Sequence, residues 1–200
     1  LEDEQLQKAL SNVRQGFIDK RAAVAAKLPE FEALRDSARD IKNHTLSNLD
    51  LYLEKWETKV LDSGGHVHWA RTAEEARQAI VNICRKAGAK TVTKGKSMIS
   101  EEINLNAAIE AAGMTPVETD LGEYIIQLRN EAPSHIIAPA VHLNATQVES
   151  DFRRVHTHLD PNRDLSEPVQ LLTEARQVLR EKFLAADVGI TGANFLIAET

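Results

Sequence analysis

Two short stretches of this chain, Lys94-Gly95-Lys96-Ser97-Met98 and Glu118-Thr119-Asp120-Leu121-Gly122-Glu123, hold residue types that could do chemistry at close spacing. Lysines ahead of a helix suit a carboxylate or phosphate, because the free N–H groups of the first turn and the ammonium charge act together. Gly95-Lys96-Ser97 alone does not make a nucleotide-phosphate loop. That motif needs a glycine five residues before Gly95, and the position holds Lys90. Glu101 and Glu102 already answer the dipole of that turn, so plain helix capping explains Lys94, Lys96 and Ser97 as well as ligand binding does. Glu118, Asp120 and Glu123 bring carboxylates close enough to push one pKa upward and create a general base. An ordinary solvated loop, with Asp120 as helix N-cap and Glu123 as its partner, is the competing reading. A third stretch, Gly189-Ile190-Thr191-Gly192-Ala193-Asn194, is small enough for close backbone approach. The glycine fingerprint of dinucleotide binding does not occur. His66 and His68 alternate, but no third ligand is in register for a metal, and His156 with His158 read as solvated.

These stretches sit at corresponding places in a repeating pattern. From His66 onward short β-prone runs alternate with helical runs, which predicts an α/β fold with a parallel sheet covered by helices. Strands are expected at His66–Ala70, Thr91–Thr93, Thr115–Thr119, Ser134–Ala138 and over 188–198. Helices are expected from Thr72 to Ala87, from about Ser100 to Ala112, over 121–128, 144–156 and 168–184. In open parallel sheets ligands settle beyond the carboxyl ends of the strands. The lysine loop, the acidic loop, the Pro139-Ala140-Val141-His142 loop and the late glycine loop all follow expected strands. Residues 1–62 are different: long, charged and helical, with apolar residues such as Leu6, Leu10, Val13, Phe17, Leu34 and Ile41 at helical spacing. We read them as an N-terminal helical arm that ends near Ser63-Gly64-Gly65, with residues 63–200 forming the α/β domain.

Composition narrows the classes. With 42% hydrophobic and 27% charged residues over 200 positions, the chain can bury a core. A net charge of −6 without a basic cluster argues against nucleic acid. No apolar stretch approaches a membrane span, and the acidic start is unlike a signal peptide, so a cytoplasmic location is expected. Cys84 is the single cysteine; it excludes an internal disulfide and cannot by itself hold an iron–sulfur cluster through four thiolates.

Several separated strings closely resemble the LUD-domain family of lactate-utilization proteins: Lys96-Ser97-Met98 with Glu101-Glu102, Glu118 to Tyr124, Pro133-Ser134-His135, Pro139 to His142, Gly189 to Asn194 with Ala198-Glu199-Thr200, and Leu46 to Asp50 in the arm. The resemblance implies a Rossmann-like layer of the NagB/RpiA/CoA-transferase type. It implies a part in oxidising L-lactate to pyruvate with two companion proteins. It also implies two [4Fe-4S] clusters in a carboxyl-terminal region beyond this chain, no cofactor within it, and a LUD domain that continues past Thr200. A sheet lacking strands would expose an edge, so pairing with another copy is expected. By position, Lys94, Lys96, Ser97 and Glu118 would meet a small carboxylate or phosphate. Glu123 with Asp120 would serve as acid or base, Thr191, Gly192 and Asn194 would form the opposite wall, and His142 a polar rim. No metal ligands are expected. A transferase or isomerase acting on a CoA ester or sugar phosphate is the alternative, on fold analogy.

Overall fold

The computed structural model describes residues 3–198. These fall into two compact units: residues up to Asn12 together with Ala70–Gly192, and Val13–Trp69 together with the residues from Ala193 on. In chain order the α-helices are α1 (Glu4–Val13), α2 (Lys20–Ala25), α3 (Phe31–Ser47), α4 (Leu49–Asp62), α5 (Ala73–Lys86), α6 (Met98–Glu102), α7 (Leu105–Ala111), α8 (Leu121–Arg129), α9 (Ala145–Val155) and α10 (Pro168–Ala185). A π-helical segment, Arg14–Asp19, lies between α1 and α2. The strands are β1 (Thr91–Lys94), β2 (Thr115–Glu118) and β3 (Val188–Ile190).

In the first unit the three strands are all parallel, in the order β2-β1-β3. β1 is central and almost wholly buried, as expected of a parallel strand covered by helices. Ahead of it, Thr72 caps α5 by accepting a hydrogen bond from the Glu75 N–H at 3.1 Å. The Glu75 carboxylate accepts the N–H of Arg71, one residue before the cap, so the expected capping box is only half formed. Gly88, at φ +67°, ends α5 in a left-handed turn, with the Ala89 N–H returning to the Cys84 carbonyl. Cys84, Val92, Leu105, Ile109 and Met114 form one buried cluster. A second gathers Val117, Tyr124, Ile125, Phe152, Leu171 and Ala175 around α8, α9 and α10. Within it Tyr124, His156 and Glu174 form a buried chain of hydrogen bonds, closed by Arg163 on Glu174, so His156 is a core residue and not the solvated one expected. Burial and then the nearby Glu174 charge push the Tyr124 hydroxyl up to about 12.

Four local expectations change. His66–Ala70 forms no strand; no neighbour offers it a ladder, and the Trp69 indole instead donates to Glu57 within the second unit. Ser134–Ala138 is also not a strand. Its backbone is satisfied locally, with Ser134 N–H and hydroxyl on the Pro139 carbonyl and the N–H groups of Ile137 and Ala138 on His135 Nδ1. The helix expected over 100–112 is two helices, because Asn104 adopts a left-handed conformation at φ 52°. The final strand stops at Ile190, and Glu199 and Thr200 lie outside the described residues.

In the second unit α2, α3 and α4 bury no residue fully. His44 and Tyr52 join α3 to α4 by a 3.1 Å hydrogen bond and an edge-on ring contact, and Arg21 and Arg35 lie over the Phe31 ring. No helix of the described residues is long and apolar enough to cross a membrane.

Candidate functional site

Parallel pairing sets Lys94 directly opposite Glu118 at the carboxyl ends of β1 and β2. Both side chains are buried, and the Lys94 ammonium donates to Glu118 Oε1 at 2.8 Å and to the Ser100 hydroxyl at 3.0 Å. Asn106, on α7, donates to the same Glu118 oxygen at 2.7 Å. Since β2 is an edge strand, its outer backbone groups need partners from elsewhere. Gln127 on α8 supplies them, accepting the Glu118 N–H at 3.0 Å and donating to the Pro116 carbonyl at 2.9 Å.

One turn further on, the Lys96 ammonium meets Glu123 Oε1 at 2.7 Å. Lys96 is about one-third exposed at 35%, while the Glu123 side chain is buried at 6%. Burial, then the neighbouring Asp120 carboxylate, push Glu123 up to about 7 in spite of the Lys96 charge. Asp120 moves the other way: Glu123 is the largest influence holding it down, helped by the Gly122 N–H and the Lys96 charge. The two carboxyls thus act as a pair with well-separated affinities for a proton. Burial works against the Lys96 charge, but Glu123 outweighs it and raises the ammonium's pKa. Asp120 does cap α8, accepting the Gly122 N–H at 3.0 Å, and Ser97 caps α6 by accepting the Ser100 N–H at 3.2 Å. Capping and a place in the site coexist at both residues.

Backbone packing brings the loops together. Thr119 ties the acidic loop to the lysine loop by donating both its N–H and its hydroxyl to the Lys94 carbonyl. The Gly95 N–H donates to the Ile190 carbonyl at 2.8 Å. A Cβ on Gly192 would lie 2.7 Å from the Lys96 carbonyl oxygen, and one on Gly122 would lie 2.9 Å from the Pro139 ring, so glycine is what permits each approach. The lysine, acidic and late glycine loops therefore share one rim of the sheet, with Thr191 exposed on it. His142 bonds the Ser134 hydroxyl and Glu131. Asn194 is exposed and belongs to the second unit.

Beneath the rim lies a cavity of about 480 Å³ in the first unit, lined among others by Lys94, Asn106, Glu118, Glu123 and Gln127. Ser100, Asn106 and Gln127 are site residues that the strand-end argument misses, because they come from helices. The available signals were Ser100 at the third position after the Ser97 cap, and Gln127 one helical turn beyond Glu123. Cys84 sits buried in the core at 1% exposure, and burial pushes its thiol upward. With that one thiol the chain offers no four-thiolate ligand set for an iron–sulfur cluster. The described residues also hold no group of three His, Cys, Asp or Glu arranged for a metal ion.

An open parallel α/β layer with ionisable side chains gathered where its strands end is the class defined by this fold and site. The chain belongs to the LUD-domain family, which it matches over residues 53–200. It is 44% identical over 201 residues to Lactate utilization protein B of Bacillus licheniformis, covering 100% of this chain and 41% of that protein. It is 47% identical over 186 residues to Lactate utilization protein B of Geobacillus thermodenitrificans, covering 92% and 38%. Identity is 41% over 200 residues with a protein of Escherichia coli named as the uncharacterized electron transport protein YkgF, covering 100% and 41%. The chain thus spans about two fifths of the length of these relatives. No solved structure matches it.

Proposed function

We propose that this chain is the LUD part of an iron–sulfur electron-transfer protein that takes part in oxidising L-lactate to pyruvate with two companion lactate-utilization proteins, and that its strand-end rim takes the small carboxylate. The clusters that would receive the electrons would belong to sequence outside this chain. The names of the relatives support the pathway, and the Lys96–Glu123 pair carries the site reading.

Oxidising lactate to pyruvate removes two electrons and two protons, one of them from the hydroxyl. A base that works at neutral pH should have a pKa near it, and Glu123 at about 7 meets that condition. Lys96 is exposed enough to turn its ammonium from Glu123 to an arriving carboxylate. A lysine is suited to this, being a point charge on a flexible stem. Once it turns, Glu123 loses its nearest positive charge and becomes a stronger base, so binding and deprotonation are linked. Gly192, pressed against the Lys96 and Ser97 backbone, holds the loop in place.

The test is lactate-dependent acceptor reduction by the intact protein with its companions. Lys96→Ala is expected to raise KM tenfold or more, and Glu123→Gln to lower kcat by 10²-fold or more, the size typical of a lost general base. Rates unchanged by both substitutions would remove this rim from the reaction.

A further inference from the structure

The cavity under the rim has a polarity that an anion does not match. Among the described residues the buried side-chain atoms without a hydrogen-bond partner are Asn106 Oδ1, Glu118 Oε2 and Glu123 Oε2. Asn106 Oδ1 and Glu118 Oε2 are acceptor oxygens, Glu123 Oε2 is one when its carboxyl is ionised, and all three residues line this one cavity. Glu118 and Glu123 are more than nine-tenths buried. The nearby donors are directed elsewhere: Lys94 to Glu118 Oε1 and Ser100, the Asn106 amide to Glu118 Oε1, and the Gln127 amide to the Pro116 carbonyl, and none meets the three oxygens left over. The charged lining is equally one-sided, with Glu101, Glu110, Glu118, Glu123 and Glu131 against Lys94. Buried acceptors left without donors are costly, and natural proteins rarely keep several together without something to satisfy them.

We infer that this cavity binds the cationic end of a small aliphatic amine, an ammonium or guanidinium group that donates to the oxygens of Asn106, Glu118 and Glu123. An ammonium carries three donors and no acceptor, and a guanidinium five, which complements a lining of acceptors. Lysine and carboxylate groups of the rim serve one ligand and the acceptor-rich floor another, with Glu123 as the shared wall: its Oε1 meets Lys96 while its Oε2 is left over. At about 480 Å³ the cavity lies within the size range of small-molecule sites and leaves room for the carbon chain of such an amine.

The experiment is calorimetric titration of the intact protein with agmatine, with 1-butanol as a neutral control and L-lactate in a separate arm. Agmatine is expected to bind at one site and butanol not at all. Asn106→Leu, which removes one acceptor and leaves both Lys–Glu pairs in place, should weaken agmatine at least tenfold, as should Glu118→Gln if circular dichroism shows it folded. No agmatine binding, or agmatine affinity unchanged in Asn106→Leu, overturns the inference. Agmatine binding without lactate binding sustains it while removing the proposed function, and lactate binding without agmatine binding does the reverse.

Discussion

Glu123 is the residue on which the chemistry turns, and its environment makes a thermodynamic prediction apart from any ligand. Its pKa rises from an ordinary 4.5 to about 7 in the folded protein. The folded state therefore binds this proton more tightly than the unfolded chain. The associated stability is fully present below about pH 4.5 and is lost as pH rises through 7. Glu123→Gln, neutral throughout, should gain stability relative to the wild type between pH 5 and pH 8 by up to about 3 kcal/mol, at 1.36 kcal/mol per pKa unit. Urea unfolding at both pH values measures this, and a pH-independent difference between the two proteins would contradict the raised value. Crowding of carboxylates was legible in the spacing of Glu118, Asp120 and Glu123. Which one rises was not, because that depends on the burial of Glu123 on α8, which together with the facing Asp120 carboxylate outweighs a lysine 27 residues earlier.

Among the elements, β1 and β2 are joined at their carboxyl ends by a buried ion pair, Lys94 with Glu118. Removing one member leaves the other charge buried and unpaired, whereas an apolar replacement of both restores balance. Lys94→Met should cost about 3 to 5 kcal/mol, and Lys94→Met combined with Glu118→Leu should recover most of that loss. Additive single losses in chemical denaturation would show that the two side chains do not act as a unit. Hydrophobic runs and glycine stops in the sequence located β1, β2, α5, α9 and α10 well, since each has a clean period or cap. They failed at His66–Ala70 and Ser134–Ala138, where alternation resembled a strand but the backbone found partners in a turn or had no neighbour to pair with. A strand is a property of two segments, and one segment's pattern cannot state whether its partner exists.

At the scale of the whole molecule, the convergence of separated loops is what a linear reading foresees least securely and what the site most requires. The rule that ligands gather at strand ends singled out the lysine, acidic and glycine loops, and the sheet does bring them to one rim through the Thr119, Gly95 and Gly192 contacts. The helix-borne part of the site, Asn106 and Gln127, lay outside that rule, since side chains reaching inward from helices leave only a polar position in an apolar stripe as a signal. The LUD match covers residues 53–200, which includes this entire rim. On the proposed function, Lys96 and Glu123 together receive a small 2-hydroxy acid. Titration of L-lactate into the wild-type protein and into Lys96→Ala at pH 6 and pH 8 tests it most directly. Saturable binding by the wild type is expected, weakened at least tenfold in Lys96→Ala at both pH values. Lactate that fails to bind, or that binds both proteins equally, would contradict it.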